Sequence, residues 1–294
     1  MRTQLSTLFI LFTHLFIICP LDRALAFFPD IEAEFLPDGR IDAPIVANPQ
    51  EARIGLRKEI GSSRMKLDIG GTLDLVEARF SPGMRVRFGV SFFTYALTTS
   101  RQGLRLQVDA ADGFFGGYLI LHQQVGTSSV QARLRVLHLS SHFVDGHYDL
   151  SSGQWINGKG PVPMTKDFGE LTGSFSTTLS PFALMVYTGI GYAALVRPDQ
   201  LRRGSGMFGM EGRTTEEQCT AFSRPLIGYC AYHLSVVGIP SYVGSSTFES
   251  GIKFGRWAGP GVRLFVSYQS GLEVFGQYFD SHRGTWNLGF TFDM

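Results

Sequence analysis

The sequence predicts an all-β protein that folds as a single transmembrane antiparallel β-barrel of about twelve strands, of the outer-membrane type. The first observation is the C-terminus, where residues 286–294 alternate large apolar side chains with Asn, Gly, Thr and Asp up to the last residue. Side chains in a strand alternate between its two faces, so this segment has one apolar face. Such a closing strand is typical of barrels whose outer face meets lipid. The other two observations are the N-terminal segment and the recurrence of the same alternation along the chain.

The N-terminal segment has the pattern of a secretory signal peptide. Arg2 precedes an apolar run over residues 8–19, and Ala24-Leu25-Ala26 follows it. A basic start, a short apolar run and an A-x-A site predict cleavage after Ala26. The run is shorter than the roughly 18 apolar residues of a membrane-spanning helix. Residues 1–26 are therefore interpreted as a signal peptide and the mature chain as exported to the envelope.

Composition favours strands over helices as the membrane-crossing element. The chain is 44% hydrophobic and contains 25 Phe and 35 Gly, but no long apolar run follows the signal. A chain that crosses lipid without helices must close into a barrel, because unpaired backbone groups are costly in hydrocarbon. The formal net charge of +1 gives no electrostatic indication of a nucleic-acid partner. No residue spacing indicates a metal site, and no glycine-rich loop indicates a nucleotide or another cofactor.

Period-two alternation predicts the individual strands. It is regular over residues 65–75, 86–92, 104–110, 130–136, 171–179 and 262–269, and apolar stretches at 114–122, 182–196, 206–212, 226–236 and 248–254 add five more. With the C-terminal strand the count is about twelve, and ten and fourteen are the even alternatives. The barrel domain is predicted to span residues 64–294. Residues 27–63 lack sustained alternation and contain four prolines, so they are interpreted as a periplasmic or lumen-occupying extension.

The lengths of the connections predict an orientation. If both termini are periplasmic, the connections after odd-numbered strands face outside and should include the long ones. The longest connection, at about residues 140–167, follows the fifth predicted strand, and that at 198–204 follows the seventh. Both are therefore expected on the outside.

Three patches resemble a bacterial family of domains of unknown function, number 1207. They are residues 133–145, 47–53 and 268–278, which read RLRVLHLSSHFVD, ANPQEAR and YQSGLEVFGQY. The resemblance implies an outer-membrane barrel over nearly all of the mature chain and implies no activity. The family has Gly-Asp-Glu after the second histidine, where this chain has Val144-Asp145-Gly146-His147.

One short motif has the residue types of a hydrolase. His138 and Ser140 lie two residues apart on the strand face assigned to lipid, and Asp145 or Asp149 in the following loop could orient the histidine as general base. The motif resembles the His-x-Ser element of the outer-membrane lipid A 3-O-deacylases, whose eight-stranded barrels carry a lipid-facing site. Those enzymes follow the serine with Asn, whereas here Ser141 follows, and this chain is too long for eight strands. The alternative interpretation is that these polar residues mark where the strand leaves hydrocarbon.

A second group of charged residues is predicted to line the lumen. Opposite charges should pair there, and such residues line either a selective pore or a packed, sealed interior. The group consists of Arg85, Arg87, Arg105, Arg133, Arg135, Asp68, Asp74 and Asp109. A carboxylate such as Asp68 or Asp109 could pair with Arg133 or Arg135, and the sequence leaves open which carboxylate pairs with which arginine.

The two cysteines of the mature chain, Cys219 and Cys230, either form a disulfide in the oxidising envelope or are two separate thiols. Sequence spacing leaves both interpretations open, because it does not establish the geometry that a disulfide needs.

These observations lead to three function hypotheses. The first is a non-enzymatic envelope barrel, acting as a narrow solute path or in a structural role. The second is an acyl-ester hydrolase of outer-leaflet lipids that uses the His-x-Ser site, and the third is a secreted soluble β-sandwich that binds a ligand. The expected partners are outer-membrane lipids and, through the C-terminal strand, the outer-membrane assembly machinery. The sequence leaves the oligomeric state open.

Overall fold

A computed structural model describes residues 31–41, 43–81, 83–101 and 104–293, without the side chains of residues 81, 101, 104 and 105. The predicted signal peptide lies outside these residues. Among them, no helix is long and apolar enough to cross a lipid bilayer.

Within the described residues, twelve antiparallel strands form one closed sheet, as the sequence predicts. Each strand pairs with its neighbours in the chain, and the barrel closes because the first strand pairs with both the second and the last. The strands are β1 Ile54–Glu59, β2 Met65–Ser81, β3 Met84–Arg101, β4 Leu104–Val125, β5 Ser128–Phe143, β6 Met164–Leu179, β7 Phe182–Arg197, β8 Gly204–Thr214, β9 Arg224–Gly238, β10 Tyr242–Gly255, β11 Gly261–Leu272 and β12 His282–Asp293. A closed barrel excludes the β-sandwich alternative.

The predicted number of strands is correct because two differences cancel. The two strands predicted at residues 104–110 and 114–122 form the single strand β4, and β1 lies in the predicted extension. The register of β4 against β3 shifts between Leu97 and Thr98, so β4 continues as one strand through residues 108–110. The shift turns Ala110 inward, where it is fully buried. β1 has only six residues, too few for a clear period-two signal. The barrel therefore begins at Ile54 rather than at residue 64.

The outer face of the barrel is apolar, as the alternation predicts. Large hydrophobic side chains on the outward positions are exposed on strands all around the barrel, which is the surface that a lipid environment requires. They include Phe88, Val90, Phe92, Val130, Leu134, Val136, Leu171, Phe175, Leu264, Val266, Leu288 and Phe292. The inward positions hold most of the buried charged residues.

The two ends of the barrel differ in their connections. The connections after even-numbered strands are grouped at what we call the turn end, and include the short ones at residues 126–127 and 180–181. The opposite, loop end carries residues 144–163, which follow the fifth strand as predicted, and residues 273–281. These loops contain 3-10 helices at Asp145–His147, Ile156–Gly158 and Gly276–Tyr278, and a small hairpin of Tyr148–Asp149 with Gln154–Trp155.

Residues upstream of β1 enter the barrel. A short strand, Glu32–Phe35, pairs with Val76–Arg79 at the turn end of β2. Farther along, Val46 and Ala47 are fully buried in a cluster with Tyr229 and Phe265, whose side chains point into the lumen. We call residues 43–53 the plug. Residues 43–53 of the predicted extension therefore lie inside the barrel, while Glu32–Phe35 lies at its turn end.

Candidate functional site

His138 and Ser140 lie on the outward face of β5 near the loop end. Their register partners are Asp167 and Thr165 on β6. The His138 Nδ1 atom lies 2.5 Å from the Asp167 Oδ1 atom, and both side chains are partly exposed. The imidazole ring also packs at 4.7 Å, between ring centroids, from Phe115 of β4. A histidine–carboxylate pair therefore lies on the face that the apolar side chains below it assign to lipid.

The acidic residue beside His138 is not one of those predicted from the sequence. Asp145 accepts a hydrogen bond from the backbone N–H of Gly146, and Asp149 from that of Ser151, both within the loop. Both carboxylates are thus engaged in hydrogen bonds within their own loop. Sequence reasoning missed Asp167 because its nearness to His138 depends on the pairing of β5 with β6 across the long loop.

Ser140 shares the outward face with His138 and lies one pleat closer to the loop end. In the described part of the chain, no hydrogen bond joins its hydroxyl to His138. Such bonds are often long before a substrate binds. Ser141, by contrast, points inward and donates a hydrogen bond to Asp112. The neighbouring serines thus separate into one residue on the outer surface and one inside the barrel.

The predicted lumen residues Arg85, Arg87, Arg133 and Arg135 point inward, and Arg133 and Arg135 pair with acids that are not among the predicted lumen residues. The Arg133 guanidinium donates two hydrogen bonds, of 3.0 and 2.6 Å, to the Glu51 carboxylate of the plug. Arg135 lies 3.4 Å from Glu51 and donates to Glu170 of the next strand at 2.9 Å. A carboxylate from outside the barrel sheet therefore occupies the position expected for Asp68 or Asp109.

The plug is folded around this ion pair. Arg53 donates hydrogen bonds to the backbone carbonyls of Val46, Asn48 and Glu51, and Asn48 donates to the Glu51 carboxylate at 3.2 Å. Burial alone would raise the pKa of Glu51, but the positive charges of Arg133, Arg135 and Arg53 lower it to about 2. Glu51 is therefore a carboxylate across the physiological pH range.

The other predicted lumen residues form local pairs. Arg87 binds Asp74 at 2.5 Å and also Glu77, and Asp68 pairs with Lys66. Arg85 lies 4.0 Å from Glu77 and is half exposed. The Arg105 side chain lies outside the described part of the structure. The interior is thus a series of ion pairs rather than a row of free charges.

Asp109 belongs to a cluster that closes the loop end. It accepts contacts from His147 Nδ1 at 2.5 Å and from the Tyr278 hydroxyl at 3.0 Å, and His147 Nε2 lies 3.0 Å from the carbonyl of Lys159. The fully buried His147 ring stacks on Phe143 with 3.7 Å between centroids. His147 therefore ties two loops to the barrel wall.

A second loop contact closes the same end. Gln277 donates hydrogen bonds to the carbonyls of Ser141 and Val162, and a Cβ added at Gly276 would lie 2.8 Å from the Ser141 Cβ atom. Only glycine fits that approach. Ser141, Gly276 and Gln277 lie in two of the three patches that resemble family 1207. In the structure these two patches contact each other at the loop end.

Cavities remain on both sides of the plug. In the described part of the chain, cavities of about 320 and 160 Å³ lie toward the turn end, and cavities of about 130, 110 and 40 Å³ lie toward the loop end. Glu51 and Arg133 line the largest one, while Gln50 and Glu170 line a cavity on the other side. The ion-paired plug therefore separates two sets of internal spaces.

The cysteines are not bonded to each other. Both are free and exposed, which decides against the disulfide alternative. Cys219 lies in the connection between β8 and β9, while Cys230 lies on the outward face of β9, opposite Ser250. Its side chain points away from the barrel interior and toward the lipid-facing surface.

Comparison with known proteins adds distant structural similarities. No protein family and no curated protein matches the chain, so the resemblance to family 1207 stays a prediction. The β domain of the Bordetella autotransporter BrkA is similar, with 12% identity, a TM-score of 0.40 and coverage of 83% of this chain and 100% of that one. A loop L8 deletion mutant of the Vibrio cholerae outer membrane protein OmpT has 10% identity, a TM-score of 0.37 and coverage of 90% and 99%. Pseudomonas aeruginosa OccK11 has 13% identity, a TM-score of 0.35 and coverage of 90% and 77%. At these scores the fold assignment rests on the strand pairing of the chain itself.

Proposed function

We propose that the chain is an outer-membrane barrel that is sealed by its own plug and conducts no solute. The observation that carries this proposal is the double hydrogen bond between Arg133 and Glu51 inside the lumen. Opening a path would separate this buried pair and leave a charge without its partner, which costs about 3–5 kcal/mol. The predicted signal peptide and the apolar outer face support the location, with the turn end in the periplasm.

Two measurements test this proposal. The protein should stay in the outer-membrane fraction after a carbonate wash and should migrate differently on gels before and after heating. Purified protein in planar bilayers should show no conductance above background. Release by carbonate would contradict the membrane location, and stable channels in the wild-type protein would contradict the seal.

A second candidate function is hydrolysis of an acyl ester in an outer-leaflet lipid. The observation that favours it is the 2.5 Å contact between His138 Nδ1 and Asp167 Oδ1, two residues from Ser140 on the same outward face. Because Asp167 engages Nδ1, the Nε2 atom of His138 is left for a proton from the serine. An ion-pairing group on this face has no role in sealing the lumen.

The chemistry follows the roles of a serine hydrolase. The Ser140 hydroxyl attacks the ester carbonyl while His138 Nε2 takes its proton, and Asp167 holds the ring and stabilises the imidazolium. The C–O bond then breaks, and the leaving alcohol takes the proton from His138. Water, activated by the same histidine, hydrolyses the acyl-serine to release a fatty acid. This cycle requires Ser140 and His138 to rotate into hydrogen-bond reach of about 3 Å.

Fatty-acid release from lipid vesicles containing the purified barrel tests this candidate. Ser140→Ala and His138→Ala should abolish release, and Asp167→Asn should lower it about 10²- to 10⁴-fold. The matched controls are Asp145→Asn and Asp149→Asn, which change acids engaged in hydrogen bonds within their own loop. Wild-type protein without activity, or an active Ser140→Ala variant, would rule out the hydrolase.

A further inference from the structure

A cavity with a mixed lining lies at the turn-end side of the plug. Its volume is about 320 Å³, within the range of small-molecule sites in proteins. One wall is apolar and aromatic and includes Phe93, Tyr118 and Ile120. A cavity of this size accommodates a small organic ligand.

The charges around the cavity favour an anion. Both carboxylates of the lining are already paired, Glu51 with Arg133 and Asp74 with Arg87. Arg40 also lines the cavity and, within the described part of the structure, has no hydrogen bond or ion pair. An arginine that pairs with none of the described residues, beside an apolar wall, matches a ligand that has one carboxylate and one hydrocarbon portion.

The barrel wall is interrupted beside this cavity. On one edge of β2, Met65–Asp68 pairs with residues 55–58 of β1. On the same edge, Val76–Arg79 pairs with the short strand Glu32–Phe35. Between these two pairings, the described residues 69–74 of β2 have no strand partner on that edge, while the Leu75 carbonyl accepts a hydrogen bond from the backbone N–H of Leu36. Thr72, Leu73 and Asp74 from this stretch line the cavity. The cavity therefore borders a stretch of the barrel wall that has no strand partner on one edge.

We propose that this cavity binds a medium-chain monocarboxylate, with its carboxylate on Arg40 and its chain against Phe93, Tyr118 and Ile120. The site borders the seal, since Glu51 and Arg133 line the same cavity, and it is separate from the outward His138 pair. Binding here therefore requires neither conduction nor hydrolysis.

Calorimetry with octanoate, which has ten heavy atoms, tests the site on the full barrel in lipid nanodiscs, with empty nanodiscs subtracted. Octanoate should bind saturably with one ligand per barrel. Octan-1-ol, which has the same chain and no charge, should bind at least about tenfold more weakly, because a hydrogen bond to a charged group contributes about 1.5–3 kcal/mol.

Two variants locate the bound ligand. Arg40→Gln should weaken octanoate binding by about tenfold or more and leave octan-1-ol binding unchanged, whereas Ile120→Trp should weaken both by filling the cavity. The matched control is Arg256→Gln, since Arg256 is exposed in the neighbouring turn and does not line the cavity. Each variant is first shown to keep the heat-dependent gel shift of the folded barrel. Equal affinities for octanoate and octan-1-ol, equal effects of Arg40→Gln and Arg256→Gln, or no saturable binding would each overturn the proposal.

Discussion

Replacing Glu51 with glutamine should destabilise the barrel by about 3 kcal/mol. The pKa of Glu51 is lowered from its usual 4.5 to about 2 because three arginines outweigh the effect of burial. Each pKa unit corresponds to about 1.4 kcal/mol, so ionised Glu51 stabilises the folded state by about 3 kcal/mol. In proteins generally, removing one partner of a buried ion pair lowers the free energy of unfolding by about 3–5 kcal/mol. The two estimates agree.

The pH dependence of stability has a definite sign. A carboxylate whose folded-state pKa is lowered stabilises the protein fully above the unfolded-state value near 4.5, and this contribution is lost as the pH falls toward 2. Wild-type barrel should therefore lose about 3 kcal/mol across this window in excess of the loss in Glu51→Gln. The measurement is denaturant unfolding in detergent micelles at several pH values, followed by tryptophan fluorescence and by the heat-dependent gel shift.

The control variant is Glu34→Gln. Glu34 pairs with Arg79 at 2.8 Å, but both side chains are more than two-fifths exposed, so its loss should cost less than about 1 kcal/mol. A Glu51→Gln variant within 1 kcal/mol of wild type at pH 7 would refute the reasoning. A double-mutant cycle with Arg133→Gln assigns the effect, because the two substitutions should be strongly non-additive.

Three further outcomes are expected. Deleting residues 286–294 should abolish the folded gel band, because β1 and β11 both lose their pairing partner; a folded truncated barrel would contradict the closure. Without reductant, Cys219 and Cys230 should both react with a maleimide, and gel mobility should not change on reduction; a mobility shift would indicate a disulfide. His147→Ala should speed tryptic cleavage of the loop that carries it, and His142→Ala, an exposed control, should not; equal rates would contradict the proposed anchoring.

The fold was largely predictable because the alternation of side chains along a single strand already shows which face of that strand meets lipid. Alternation of apolar and polar side chains indicates this face correctly over residues 130–136 of β5, 171–179 of β6 and 286–293 of β12. It fails where the pairing partner changes the register, as for Ala110 opposite the shift in β3. It also fails for β1, where six residues provide too few periods.

The candidate sites were predictable by residue type and face but not by partner. The inward position of Arg133 and the outward position of His138 follow from parity within one strand. Their partners, Glu51 and Asp167, come from a segment that threads the lumen and from a strand beyond a long loop. Contacts of that kind depend on tertiary geometry, which spacing along the chain does not specify.

The plug precedes every barrel strand in the chain, and this order constrains assembly. Residues 43–53 lead directly into β1, and β1 is the strand on which β12 closes the barrel. Since the seam joins the first strand to the last, the interior is accessible from the side until that pairing forms. The plug can therefore bind inside the open sheet before the barrel closes. Pairing of β1 with β12 then encloses it, so the plug does not have to thread through a closed barrel. The proposed seal then depends on the order of folding. A barrel that closed before Glu51 paired with Arg133 would leave residues 43–53 outside the lumen.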